Sequence, residues 1–115
     1  MTFDDKVRLL SELYRAFNRR EIERVLSALS PGVRWPNVLE KTELRGHAAI
    51  RAYWLEQLER IEPRVEPVEF EERGRAVAVR VRQVVTVKAT GQITESRVTH
   101  TYDLDDGLVS SMTVS

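Results

Sequence analysis

His100 and Tyr102 combine residue types and a spacing that suit acid–base chemistry. An imidazole with an unperturbed pKa of about 6.5 is mostly neutral at pH 7 in an apolar pocket, and it can then take or give a proton. Because the two residues are two apart, a β-strand would place both side chains on one face. We predict that His100 moves a proton while Tyr102 or Gln83 stabilises a developing oxyanion. The alternative is that His100 only hydrogen-bonds Tyr102, Gln83 or the backbone at a cavity wall.

Aromatic and amide side chains form two further clusters, Trp35-Pro36-Asn37 and Tyr53-Trp54 with Gln57. An inward amide needs a partner, because leaving it unmatched in an apolar interior costs about 1–3 kcal/mol. The clusters therefore predict a pocket that orients a carbonyl or hydroxyl group of a small molecule. Trp54 has a simpler alternative role in the core. The full set predicted to contact the ligand is Tyr14, Trp35, Asn37, Tyr53, Trp54, Gln57, Val79, Val81 and Met112.

The composition argues against several other kinds of site. The 115 residues include no cysteine, which removes disulfides, thiolate metal sites and a cysteine nucleophile. Eighteen basic and eighteen acidic residues balance to zero, which argues against a surface that follows nucleic-acid phosphates. Residues 103–107 begin like a calcium-binding loop, but Leu108 and Val114 stand where glycine and an acidic ligand are needed. We predict no metal, cofactor, nucleic-acid or membrane partner.

Helical periodicity marks the first half of the chain. Apolar residues recur at helical spacing from 7 to 17, after Thr2 and Asp5 at the spacing of a capping box. A second helix, whose apolar face runs to Leu29, is predicted to end at Ser30-Pro31-Gly32. These two helices should form a hairpin.

A third helix follows a short extended piece at 33–35 and a polar loop through Arg45. It is predicted to open at Gly46 and to end at Pro63, since proline lacks the amide that helix continuation requires. His47, in its first turn, is predicted to be solvated.

Beyond Val65 the apolar period changes from helical to two, which predicts strands. Glycines at 74, 91 and 107 lie between the alternating runs and mark hairpin turns. The predicted antiparallel strands cover about 65–73, 75–89, 93–105 and 108–114. Three N-terminal helices packed on this curved sheet define an α+β fold, with residues 1–115 as one domain.

Alternation also assigns the faces of the sheet. The last strand should turn Leu108, Ser110, Met112 and Val114 to one side. The outer face carries Arg80, Arg82 and Arg97 between small and β-branched residues, where a solvated face would show more mixed charge. That composition predicts a homodimer built on the outer face.

The order of elements, with Leu-Tyr-Arg-Ala-Phe-Asn at 13–18, Arg-Gly-His-Ala-Ala-Ile-Arg-Ala-Tyr-Trp at 45–54 and Asp-Gly-Leu-Val at 106–109, resembles the nuclear transport factor 2-like superfamily. More narrowly it resembles the SnoaL-like, polyketide-cyclase-like branch. The resemblance covers essentially the whole chain and implies a cone-shaped, barrel-like fold with a deep pocket. The superfamily holds isomerases, dehydratases, hydrolases, cyclases and noncatalytic binders, so the fold alone does not define the reaction.

Residue by residue, the resemblance implies an altered site. The aspartate base of ketosteroid isomerase would match Trp35, and its tyrosine on the first helix would match Leu13, with Tyr14 one position away on another azimuth. Its protonated aspartate would match His100. The Asp-Arg-Asp network of limonene epoxide hydrolase has no counterpart, since Arg80 has the opposite strand parity from the inward residues.

Two functions from different classes follow. One is a cofactor-independent cyclase, isomerase or dehydratase that acts on a small, mainly apolar carbonyl compound through His100. The other is a noncatalytic ligand-binding or accessory domain that uses the same groups for recognition. The acidic N-terminus and the lack of a long apolar run predict a cytoplasmic protein.

Overall fold

Helices and strands follow one another with short connections. The computed structural model describes residues 1–38 and 40–115. The elements are α1 (Phe3–Asn18), α2 (Ile22–Ser27), β1 (Leu29–Asn37), β2 (Thr42–Arg45), α3 (Gly46–Arg60), β3 (Ile61–Arg73), β4 (Ala76–Val87), β5 (Ile93–Asp105) and β6 (Leu108–Val114). Among the described residues, no helix has both the length and the hydropathy needed to cross a bilayer.

The start of α1 is a capping box, as predicted. The Thr2 hydroxyl accepts a hydrogen bond from the Asp5 backbone N–H at 3.1 Å, and the Asp5 carboxylate accepts one from the Thr2 N–H at 3.0 Å. The hydrogen bonds from Thr2 lower the pKa of the Asp5 carboxyl group. Two amides that the helix cannot satisfy internally are thereby paired.

The described strands form one sheet in the order β2-β1-β6-β5-β4-β3. Neighbours run antiparallel, except that β1 and β6 run parallel. The prediction of an α+β fold with three helices on a curved, mostly antiparallel sheet is confirmed. The described sheet has six strands instead of four, because the short extended piece predicted at 33–35 is part of β1, and β2 forms within the segment predicted as a polar loop.

Strand β1 begins earlier than predicted. Helix α2 ends at Ser27, and Ser30-Pro31-Gly32 lies inside β1 instead of ending the helix. The pairing with β6 jumps from Leu29 with Val109 to Arg34 with Ser111, so an irregular stretch of β1 accommodates the proline and glycine. Leu29, assigned to the second helix by its spacing, is instead the first residue of this strand.

Strand β3 also begins earlier than predicted, at Ile61, directly after α3 ends at Arg60. Pro63 therefore lies within a strand, not at a helix end. This is possible because β3 is an edge strand and pairs only with β4. An edge position tolerates proline, since a missing N–H can face away from the neighbouring strand.

Two side chains, one from the last residue of α1 and one from just after the helix, bind the outer edge of β3. The Asn18 amide donates to the Val65 carbonyl at 2.7 Å and accepts from the Val65 N–H at 2.9 Å. The Arg20 guanidinium donates to the Pro63 carbonyl at 2.7 Å. These contacts attach the C-terminal end of α1 to β3.

The register of β6 differs from the predicted alternation. A shift between Asp103 and Leu104 changes the face of the strand, so Val109 is buried in the core instead of Leu108 and Ser110. The Ser111 hydroxyl donates to the Asp103 carboxylate at 2.8 Å. Sequence alternation cannot reveal such a bulge, because one extra residue inverts every following assignment.

The core lies between the helices and the concave face of the sheet. Val77, Val79 and Val81 of β4 are fully buried there, as the strand parity predicts, against Leu10 of α1 and Ile50 of α3. Each such side chain contributes roughly 1.5–3 kcal/mol of burial free energy. The core thus holds the walls of the site in place.

The outer face of the sheet carries more mixed charge than predicted. Arg82 pairs with Glu66 on β3 and with Glu95 on β5, and Arg80 lies 3.9 Å from Glu69. The expected scarcity of acidic partners on this face is therefore wrong. Cross-strand ion pairs of this kind explain how a face rich in arginine can remain exposed to solvent.

Candidate functional site

An apolar cavity of about 360 Å³ lies between α1, α3 and the concave face of the sheet. This volume falls within the range of small-molecule pockets, roughly 300–1,000 Å³. Of the predicted site residues, the structure brings nine to the cavity wall: Tyr14, Trp35, Tyr53, Trp54, Gln57, Gln83, His100, Tyr102 and Met112.

Three predicted residues lie elsewhere among the described positions. Val79 and Val81 are buried in the core, and neither lines the cavity. Asn37, at the end of β1, accepts a hydrogen bond from the Glu40 N–H at 3.3 Å and so stabilises the connection to β2. Strand parity could select the inward face, but it could not separate filled core from open cavity along that face.

Several lining residues were not predicted. Val98 and Val114 have the same strand parity as His100 and Met112, so the alternation could have identified them. Phe17 lies one helical turn beyond Tyr14 on α1 and could have been found in the same way. Pro63 carried no such signal, because it was predicted to end a helix.

The polar end of the cavity is a chain of three side chains. The Tyr102 hydroxyl donates to the Tyr14 oxygen at 2.8 Å, and the Tyr14 oxygen lies 2.8 Å from Nδ1 of His100. The Tyr14 and His100 ring planes are nearly parallel, at 7°, while Tyr102 stands almost perpendicular to both. We call these three side chains the Tyr–Tyr–His relay.

Two elements position the relay. His100 and Tyr102 alternate with outward residues on β5, so both reach the concave face, as predicted. Tyr14 approaches from α1. Leu13 and Tyr14, although one position apart on the helix, are both buried, because α1 packs against both the sheet and α2.

Burial keeps the relay uncharged. Desolvation lowers the pKa of His100 from 6.5 to about 4, so the imidazole is neutral at pH 7. Desolvation also raises the pKa of Tyr14, with a further contribution from the nearby Tyr102 hydroxyl, and it raises the pKa of Tyr102. The described lining includes no Asp, Glu, Lys or Arg, so the wall has no formal charge at neutral pH.

Aromatic rings form the wall beside the relay. The Trp54 ring lies between those of Phe17 and Trp35, with a centroid distance of 5.5 Å to each. The Trp35 ring in turn lies 6.4 Å from that of Tyr102. The first two contacts are edge-to-face, an arrangement that the ring quadrupoles favour. Trp54 is therefore both a core residue and part of the cavity wall.

Half-buried polar groups lie around the rest of the cavity. Gln57 and Gln83 supply amides, and Tyr53 supplies a hydroxyl whose pKa is raised by burial. Val38 is exposed and lies where the cavity meets solvent. The polar end and these amides give a ligand two separate regions for hydrogen bonding.

The prediction that His47 is solvated is wrong, because its side chain is half-buried and hydrogen-bonded. Its Nε2 lies 2.9 Å from the Leu29 carbonyl oxygen, and because a carbonyl can only accept, this ring nitrogen donates. His47 thus ties the start of α3 to β1. The described residues bring together no group of three His, Asp or Glu side chains that could hold a metal ion.

A second depression, of about 390 Å³, lies on the surface between α1 and α2. Asp5, Arg8 and Glu12 line it, and Glu12 pairs with exposed arginines. The cavity between the helices and the sheet is the stronger candidate site, because buried polar groups face an apolar space there.

The helices over a concave sheet and the cavity between them define a protein of the NTF2-like α+β class. The family model described as "SnoaL-like domain" matches residues 10–112. The chain therefore belongs to the SnoaL-like domain family.

Solved structures agree with this assignment. An NTF2-like protein of unknown function from Burkholderia pseudomallei is 27% identical, with a TM-score of 0.88 over 100% of this chain and 91% of that one. TerC, crystallised with polyporic acid, is 25% identical, with a TM-score of 0.85 over 96% and 90%. SalBIII, an epoxide hydrolase/cyclase-like enzyme of pyran ring formation in salinomycin, shares the fold at 20% identity, with a TM-score of 0.85 over 99% and 92%. No curated protein matches the chain.

Proposed function

We propose that the protein binds a small, mainly apolar carbonyl compound in the cavity and acts on it as a cofactor-independent cyclase, isomerase or dehydratase. The observation that carries this proposal is the Tyr–Tyr–His relay, which forms the polar end of an otherwise apolar cavity. A buried chain of neutral hydrogen-bonding groups suits an oxygen atom that gains negative charge during a reaction. The ligand in TerC and the cyclase-like description of SalBIII support a small-molecule role.

The shared chemical step of these reactions is proton transfer beside a carbonyl group. When the proton leaves the neighbouring carbon, the C–H electron pair forms a carbon–carbon double bond and the carbonyl π electrons move to oxygen. His100 assists this transfer at the polar end of the cavity. The amides of Gln57 and Gln83 orient the rest of the molecule, and the aromatic wall contacts its apolar part.

The second candidate is a noncatalytic ligand-binding domain. It is favoured by the absence of any carboxylate from the described cavity wall, where Trp35 occupies the position expected for the isomerase base. Without a carboxylate, His100 is the described lining group closest in chemistry to a proton carrier. The two candidates therefore differ in one measurable property, proton exchange at the carbon next to the carbonyl.

We expect the protein to accelerate the exchange of the α-protons of 1-indanone for deuterium in D2O, measured by ¹H NMR. Exchange requires only removal of the proton and return of a deuteron, so it detects the shared step without knowledge of the natural product. His100→Ala should lower the added rate by about 10²-fold or more.

Thr101→Ala is the matched control. Thr101 lies between His100 and Tyr102 on β5 and pairs with Ala78 and Thr113, so it faces away from the cavity. This variant should keep the wild-type exchange rate. If wild-type protein binds 1-indanone but exchange stays at the buffer rate, the catalytic role is excluded and the binding role is retained.

We further propose a homodimer that uses the outer face of the sheet. Ile93 is 66% exposed at one end of this face, opposite the half-buried Thr86. Light scattering at tens of micromolar should give twice the chain mass of 13.3 kDa. Arg80→Glu, on the same face, should weaken the dimer, whereas a monomeric wild type would contradict the proposal.

A chain without cysteine needs no oxidising compartment, which supports the cytoplasm as its location.

A further inference from the structure

The relay contains few protons, and their number limits its possible arrangements. Each tyrosine hydroxyl carries one proton, and the neutral imidazole of His100 carries one on either Nδ1 or Nε2. Two contacts join the three groups, both at 2.8 Å. The direction of the hydrogen bonds therefore determines which nitrogen of His100 carries the proton.

Tyr102 fixes the direction at one end. It is 1% exposed, and among the described residues its hydroxyl hydrogen-bonds Tyr14 alone. If the chain ran the opposite way, the Tyr102 proton would have no described acceptor and would be stranded among aromatic rings such as Trp35. Stranding a buried donor is unfavourable, so Tyr102 donates and Tyr14 accepts.

Tyr14 fixes the other end by the same argument. Its oxygen already accepts from Tyr102, and the described acceptor within reach of its own proton is Nδ1 of His100. If Nδ1 carried a proton instead, two donors would point at the Tyr14 oxygen and the Tyr14 proton would lose its described partner. The arrangement that satisfies every group has Nδ1 as an acceptor.

We infer that the relay holds His100 in the tautomer with its proton on Nε2, so that His100 presents a hydrogen-bond donor to the cavity and selects ligands that carry an acceptor oxygen. Tyr14 and Tyr102 are then positioning residues that act through His100. The ligand part of this inference rests on the proposed function, whereas the tautomer is a property of the protein alone.

This tautomer gives His100 a particular part in the proposed reaction. A neutral N–H donor polarises the carbonyl oxygen and stabilises the enolate, while a water molecule takes the proton from carbon. Tyr14 donates a hydrogen bond to Nδ1 of the imidazole, and Tyr102 polarises Tyr14 in turn, so the two hydrogen bonds of the relay strengthen each other. The relay holds its protons in place and does not pass them along.

The tautomer is measured by ¹⁵N NMR on histidine-labelled protein without ligand. We expect the Nε2 of His100 to show the shift of a protonated nitrogen and Nδ1 that of an unprotonated, hydrogen-bonded nitrogen. Tyr14→Phe should produce a mixture of tautomers with averaged shifts. A wild-type protein with the proton on Nδ1 would overturn the inference.

His47, the other histidine of the chain, is an internal control. Its Nε2 donates to the Leu29 carbonyl, and neither residue lines the cavity, so the His47 signals should not change in Tyr14→Phe. A change at both histidines would indicate general unfolding, in which case the wild-type spectrum alone decides the tautomer.

Three bicyclic probes of similar shape test the ligand part by calorimetric titration. Indane offers no hydrogen bond, 1-indanone offers an acceptor and indole offers only a donor. We expect 1-indanone to bind about tenfold or more tightly than indane, and indole to gain no such advantage. Stronger binding of indole than of 1-indanone would overturn the selection by His100. No binding of any probe would overturn the ligand part together with the proposed function, and the NMR result on the tautomer would stand.

Discussion

Replacing Trp54 with alanine should lower the free energy of unfolding by about 3–5 kcal/mol. The side chain is 6% exposed and lies edge-to-face between Phe17 and Trp35, with both centroids 5.5 Å away. Its removal would delete apolar contacts and join a new void to the existing cavity. Urea unfolding followed by circular dichroism at pH 7 measures the loss.

Leu55→Ala is the matched control for this prediction. Leu55 is the next residue of α3 and is 53% exposed, so its truncation should change the free energy of unfolding by only about 0.5 kcal/mol. A loss in Trp54→Ala as small as that in Leu55→Ala would show that Trp54 does not stabilise the fold by packing in the cavity wall.

Acidification should destabilise the fold through His100 by about 3 kcal/mol in total. Burial lowers the pKa of His100 from 6.5 to about 4, a difference worth roughly that free energy. Below pH 6.5 the unfolded chain binds a proton that the folded protein does not. The stability from this residue is thus fully present above pH 6.5 and is lost as the pH falls towards 4. Urea unfolding between pH 7 and 4 measures this change.

His100→Gln removes the titration and serves as the reference. The carboxyl groups of Asp5 and Glu23, whose pKa values are lowered by their hydrogen bonds to Thr2 and Arg51, lose their contributions in both proteins and cancel in the comparison. Wild type should therefore lose about 3 kcal/mol more than His100→Gln over this range. Equal losses in the two proteins would mean that His100 is already accessible to protons in the folded state.

Local signals in the sequence were enough to predict much of this fold. The Thr2–Asp5 capping box fixed the start of α1, and the glycines at 74, 91 and 107 lie in the turns between the last four strands. The bounds of β5 and β6 agree with the predicted bounds. These features depend on neighbours in the chain, which a sequence displays directly.

Features that depend on distant partners were not predicted. Strand β2 exists because residues 42–45 pair with β1, and Pro63 enters β3 because that strand lies at the edge of the sheet. The bulge in β6 depends on its register against β5. None of these features has a periodic signal of its own in the sequence. Each depends on pairing with a distant strand, which local propensity does not predict.

The site was predicted as a set of residues but not as a network. Alternation placed His100 and Tyr102 on the same inward face, and both line the cavity. The partner of His100 is Tyr14, which is 86 positions away in the chain, and not Tyr102, Gln83 or the backbone. Such a contact becomes visible only when α1 is packed against the sheet.

The outer edge of β3 has a consequence for how copies of the chain can associate. Pro63, Val65 and Pro67 are two apart, so their backbone groups point to the same side, away from β4. The two prolines have no N–H there, Asn18 occupies both polar groups of Val65, and Arg20 occupies the carbonyl of Pro63. A strand from another molecule would find no continuous ladder to extend along residues 63–67, so this stretch of the edge resists strand-to-strand association.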